Sequence, residues 1–381
     1  MGDLAGRVSH SVDLTAEGDG VDRYGHGTFV AGMIAGTGAT GAGVRGTAPD
    51  AHIVSIKIAG RDGSADVTHV LAALQYAVSF KDQLDIDVVN LSLGTDSEQD
   101  YRLDLLNMAV ERAWANGIVV VVSASNRGPG AGTISKPADD PFVITVGASD
   151  DRSTPGLGDD SVPAFSAAGP TAANGVAKPD LVAPGRSVVS TRAPGSTVDV
   201  ANPGARIGTA HFVGSGTSFA SGVVSGAAAL VLSRTPGLTP DQVKARLVDT
   251  ARTGPVTDPH LVGAGWLDAA AATMSDSTRE ANQGLYWSKG TGSLQASRGS
   301  TAVQIETGTV LDPLLGPLPL LTVVQGDLTA QDLLFDYAAF RDGEWSPATW
   351  YGSKWYGSKW YGSKWYGSKW YGSKWYGSTW E

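Results

Sequence analysis

The sequence predicts an α/β fold in which a mostly parallel central sheet is covered by helices on both faces. Two runs, IVVVVSAS (118–125) and FVITVGAS (142–149), are apolar almost throughout. Strands with no polar side are buried on both faces, as parallel strands are. Segments with helical spacing alternate with such runs, the pattern of strand–helix–strand units. Composition then shifts near residue 275: of 11 Trp, only Trp114 and Trp266 precede it. The chain therefore divides into a globular unit (1–274), a connector (275–349) and a low-complexity repeat tail (350–381).

Residues 3–25 are polar and rich in Gly and Asp, which predicts a surface loop with little core. YGHGTFVAGMIAG (24–36) sets His26 between two glycines at the start of a helix of small and apolar residues. AHIVSIKI (51–58) and IDVVNLSLG (86–94) read as strands. The helix between them, 65–80, presents Val67, Val70, Leu71 and Leu74 on one face. Residues 101–116 read as a helix through Leu103, Leu106, Val110 and Trp114, stopped by Gly117. Gly216-Thr217-Ser218 opens a long run of small apolar residues, so Ser218 stands at the mouth of a helix. Thr239-Pro240-Asp241-Gln242 is a capping box with Pro at the first helical position, opening a helix to about Ala251. Residues 263–273 give one more short helix.

With 28 Lys+Arg against 38 Asp+Glu, the formal charge is −10, which argues against nucleic acid as a partner. The chain has no Cys, so disulfides and thiolate chemistry are excluded. No apolar run is long enough to span a membrane. MGDLAGRVSH lacks the apolar stretch of a signal peptide.

His26, Asn126 and Ser218 all fall at junctions following strands, where open α/β sheets bind ligands. A serine hydroxyl needs an adjacent base, and histidine titrates near neutrality. Attack on a carbonyl creates an oxyanion, which a side-chain amide and the serine N–H can hold. Singly, each residue has a plainer role: a helix cap, a packing histidine, a turn asparagine.

GHGTFVAGMIAG and GTSFASGVVSGAAAL resemble the histidine and serine motifs of the subtilisin-like serine proteases, the subtilase family. NLSLG, VVVVSASNRG, GVRGTAPDAHIVSIKI, VITVGASD, FSAAGP and KPDLVAPG resemble further segments of that family, in its order, over roughly 3–274. The resemblance implies a serine endopeptidase working through an acyl-enzyme, with Ser218 as nucleophile, His26 as general base and acid, and Asn126 as oxyanion donor. It implies peptide or protein substrates and a secreted or cell-surface location. It requires no cofactor and suggests no metal ligand among these motifs, though it admits structural calcium. Ser92, Leu93 and Gly94, with Asp62, Gly63 and Ser64, resemble the two edges between which a substrate peptide lies as an added strand.

Three departures stand out. Ser125 replaces the glycine usual before the oxyanion asparagine, and Gly222-Val223 replaces a frequent Pro-His. The third concerns the triad aspartate, which the resemblance places after an apolar strand some tens of residues before the histidine. Only 25 residues precede His26, and their Asp3, Asp13, Asp19 and Asp22 follow no such strand. The expectation is that the aspartate-bearing strand lies outside this sequence, with an apolar slot left in the sheet. A catalytically impaired binding protein, acting through its cleft or tail, is therefore the alternative function.

From Trp350 the pentapeptide WYGSK occurs five times, followed by WYGST. A period of five matches neither a strand face nor a helix face, which predicts a disordered tail. Its Trp-Tyr pairs with interleaved Lys suit contact with cell-envelope glycans.

Overall fold

The structure is a computed structural model that describes residues 2–15, 17–41, 44–300, 303–312, 316–324 and 374–375. After a single turn at Gly2–Leu4 the elements run β1 (Val8–Asp13), α1 (His26–Ala35), β2 (Ile53–Lys57), α2 (Val67–Ser79), α3 (Lys81–Leu84), β3 (Val88–Leu91), α4 (Leu105–Ala115), β4 (Val119–Ser123) and β5 (Ile144–Ser149). There follow β6 (Leu181–Pro184), β7 (Val188–Thr191), α5 (Thr197–Ala201), β8 (Arg206–Ile207), β9 (His211–Ser215), α6 (Thr217–Arg234), α7 (Pro240–Asp249), α8 (Pro259–Val262), α9 (Ala269–Met274) and α10 (Leu294–Ser297). The strands β10 (Val303–Asp312) and β11 (Gly316–Val324) form an antiparallel pair, and β12 is Lys374–Trp375.

The parallel strands fall into two groups. β1 pairs with β2, from Val8 opposite Ile53 to Asp13 opposite Lys57. β3, β4, β5 and β6 form a second parallel sheet in that order. The edges β2 and β3 both line one cavity of about 1910 Å³. Helices α2 and α3 lie between them in sequence. Among the described strands, β2 and β3 each end their sheet and pair on one side only.

Helix α6 packs on the larger sheet through Ala220, Val224, Ala227, Ala228 and Val231, all fully buried. Its glycines let neighbours approach: a Cβ on Gly222 would lie 3.2 Å from Met33 Cβ of α1, and one on Gly226 2.6 Å from Thr47 Cβ. On the opposite side α2 and α4 bury Leu71, Leu74, Leu106 and Val110. The buried face of α2 is the one its spacing predicts, and the Thr239–Gln242 capping box is formed in both directions.

Three expectations are corrected. Residues 3–25 are more than a loop: β1 crosses them, and Asp3 and Leu14 are buried. The polar VSHSVD stretch hides this, because only its pairing with β2 makes it a strand. Helix α4 starts at Leu105, because Asp104 accepts from Leu106 N (2.8 Å) and caps it, leaving Leu103 exposed outside. Of 263–273 only the end is helical, in α9, because Trp266 bridges to Arg252 and Val182 as extended chain.

The packed unit continues past residue 274. Ser288 N donates to Glu111 Oε2 (2.5 Å), and Ser297 and Arg298 are almost wholly buried. Most of the repeat tail lies outside the described residues. Lys374 and Trp375 pair antiparallel with Ser215 and Gly214 on the edge of β9.

Candidate active site

His26 is the first residue of α1. Gly25 before it has φ 104°, a left-handed conformation that favours glycine, and a Cβ there would meet Ser196 Oγ at 2.4 Å. Asp22 caps the helix across this turn, accepting from Gly25 N and Thr28 N, both at 2.7 Å. The His26 ring is half-buried and lies 5.7 Å from the Phe219 ring, centre to centre. Burial pushes its pKa down to about 4, opposed by the charge of Asp22. Among the described residues, none forms a hydrogen bond with the His26 ring.

Ser218 is the second residue of α6 and is 6% exposed. Its Oγ donates to Ser92 O at 3.5 Å, longer than an ordinary O–H···O bond, so the hydroxyl is loosely held. The backbone around it is firmly fixed. Ser92 Oγ donates to Ser218 O (2.8 Å), and Ser221 Oγ donates to the same carbonyl (2.9 Å). Asn126 Oδ1 accepts from Thr217 N (2.8 Å) and Thr217 Oγ1 (3.0 Å). Thr217 thereby fixes the plane of the Asn126 amide, whose Nδ2 is its donor side. Ser125 holds φ 113°, a conformation in which a side chain is strained.

His26, Asn126 and Ser218 line the 1910 Å³ cavity, as do Ser92, Leu93, Gly94 and Gly63. Asp62 and Ser64 bond to each other, Ser64 N and Oγ donating to Asp62 Oδ1 at 3.0 and 2.8 Å, and the cavity lining includes neither. Ser92 directs its hydroxyl onto α6 and ties the end of β3 to the serine helix. A Cβ on Gly94 would lie 2.3 Å from Ser135 Oγ, so that edge packs tightly from behind.

The acidic residues ahead of His26 are occupied. Asp3 is buried and accepts from Thr40 N (2.9 Å) and Thr40 Oγ1 (2.6 Å), with His211 Nε2 at 2.7 Å. Asp13 accepts from Thr15 N (2.7 Å), Gly20 N (2.9 Å) and Lys57 Nζ (3.1 Å). Asp19 pairs with Arg23. Sequence reasoning missed Asp22 as the cap of the histidine helix and Thr217 as the support of Asn126. An aspartate three residues before the Gly25 of Gly-His was the available signal for the first. Among the described residues, no three His, Cys, Asp or Glu side chains form a group able to hold a metal ion.

The pattern of the Subtilase family matches residues 6–265. Serine protease AprX of Bacillus subtilis (strain 168) is 39% identical over 277 residues, which is 70% of this chain and 62% of that protein. The chain thus spans less than two thirds of AprX. Subtilisin DY of Bacillus licheniformis is 35% identical over 263 residues, 68% of this chain and 82% of that one. Among solved structures, Sphericase superposes with a TM-score of 0.58 at 28% identity, covering 70% of this chain and 86% of its own. A match over this span, with the histidine and serine at the mouths of two packed helices, leaves one conclusion: the chain belongs to the subtilase family.

Proposed function

We propose that this protein is a serine endopeptidase in which Ser218 attacks a peptide carbonyl and His26 takes the hydroxyl proton. The Asn126 amide and the Ser218 N–H receive the oxyanion, and His26 returns its proton to the leaving amine. The single observation that carries this reading is the shared cavity, into which the starts of α1 and α6 and the turn after β4 bring these three residues. An extended peptide or protein substrate lies along Ser92–Gly94, with Gly63 on the facing edge. By kinship the protein acts outside the cell or at its surface.

One observation favours the alternative, an impaired enzyme that binds through its cleft. No described carboxylate hydrogen-bonds the His26 ring, and burial holds its pKa near 4, so the base is weak. Without a carboxylate to fix the tautomer and steady the imidazolium, triad enzymes lose about 10⁴-fold in turnover. Losing one oxyanion donor costs less, about 10²–10³-fold, a magnitude that comes from subtilisin itself.

A fluorophosphonate probe tests the reading. Labelling is expected in the unsubstituted chain and absent in Ser218→Ala, and Asn126→Ala is expected to slow acylation by about 10²–10³-fold. Undiminished labelling of Ser218→Ala overturns the assignment. The envelope-contact role of the tail is checked by co-sedimentation of residues 350–381 with cell-wall material, against a scrambled peptide.

A further inference from the structure

We propose that residues 293–300, beyond every segment that carries the reaction, clamp both edges of the substrate cleft and set its width. This rests on the reading of 62–64 and 92–94 as those edges, which Asp66 and Thr95-Asp96 closely follow in the chain. On the first edge, Arg298 is 1% exposed, donating from Nε to Asp66 Oδ1 (2.9 Å) and from Nη2 to Asp66 Oδ2 (3.3 Å). Asp66 closes the loop that contains Gly63 and caps α2 through Thr68 N. On the second edge, Thr95 Oγ1 donates to Ser297 O (2.7 Å), and Ser300 N and Oγ donate to Asp96 at 2.7 and 2.5 Å.

Four consecutive residues therefore hold two edges that are about thirty positions apart in sequence. The seat is close: Gly299 has φ +67°, and a Cβ there would lie 2.1 Å from Asp96 Oδ1. A buried ion pair adds little net stability, because desolvation offsets attraction, and its better-attested use is to fix one geometry. An arginine fork on a carboxylate fixes angle as well as distance. Widening the cleft would strip a buried charge of its partner. An extended peptide, which must pair with an edge as an added strand, feels that width. A small reagent that reaches only Ser218 does not.

The test compares two labelling rates in the full chain, by a small dialkyl fluorophosphonate and by a tetrapeptidyl phosphonate. Arg298→Met is expected to slow the tetrapeptidyl reagent by about ten- to hundredfold, the scale of a misplaced binding edge, with the small probe within about twofold. Arg298→Lys keeps the charge without the fork and falls between. Gly299→Ala crowds Asp96 without removing a charge, so it reports even if Arg298→Met does not fold. An unchanged ratio of the two rates in Gly299→Ala, or an equal fall in both, overturns the clamp. If neither reagent labels the unsubstituted chain, the peptidase reading fails. The clamp is then judged by amide hydrogen exchange at 61–66 and 92–96: faster exchange at both edges in Gly299→Ala supports it, and unchanged exchange refutes it.

Discussion

Strands β2 and β4 are similar in composition and opposite in environment. Every residue of Val119–Ser123 is 4% exposed or less, whereas all five residues of Ile53–Lys57 are half-buried. IVSIK carries three apolar residues to the four of VVVVS, with Lys57 the one charge between them. The difference lies in the neighbours: β4 sits between β3 and β5, while β2 has β1 on one side and the cavity on the other. A strand's burial belongs to the sheet, and its own residues only make burial favourable. The edges of β2 and β3 thus carry backbone groups and apolar side chains suited to a strand between them.

Occupying that slot is the largest way to break the contrast. Joining to residue 1 an apolar strand that ends in Asp-Thr-Gly is expected to raise peptide hydrolysis by about 10⁴-fold, the worth of a triad carboxylate. It should also slow hydrogen exchange at β2 and β3. Comparable hydrolysis by the extended and unextended chains would show that another carboxylate serves His26, Asp22 being nearest at hand. A paired truncation sharpens the contrast at smaller scale. Val121→Ala empties a site that cannot collapse and is expected to cost about 2–3 kcal/mol, whereas Val54→Ala beside the open slot costs less than about 1 kcal/mol. Equal costs in urea titrations would mean that the slot is filled in solution.

The crowded side has an electrostatic signature too. Burial and the neighbouring Asp140 push the Glu111 pKa well above its ordinary 4.5. A group raised on folding supports the fold below its unfolded pKa and loses that support as pH rises through its folded one. Glu111→Gln should therefore gain stability relative to the parent as pH rises above about 4.5, with the melting-temperature difference widening toward alkaline pH. A constant difference across pH would place the proton elsewhere. The smallest effect is expected at the end of β4. Ser125→Gly relieves a positive φ and should add about 1 kcal/mol to stability while leaving the Asn126 amide on Thr217. A loss of stability would show that the Ser125 side chain makes up for its backbone.

Legibility followed the same contrast. β4 and β5 could be read because strands buried on both faces need unbroken apolar runs. β1 could not, because His10 and Ser11 look like loop residues until Val54 and Ser55 pair with them. The helices that open at His26 and Thr217 were visible because small residues must follow each start where α1 meets α6 at Gly222. The docking of 277–300 was not visible. Its anchors are polar side chains, and nothing in the local pattern of Ser288 or Arg298 points to partners at Glu111 and Asp66.

That last pair has a consequence in time. Arg298 follows Asp66 by 232 residues. At a synthesis rate of about 5–20 residues per second, the arginine leaves the ribosome roughly 10–50 s after its partner. His26 has emerged before that interval begins, and Asn126 and Ser218 emerge within it, while Asp66 still lacks its arginine. On the proposed clamp, the cleft takes its final width only after Arg298 has cleared the ribosome, so its shape is among the last features of the domain to be set.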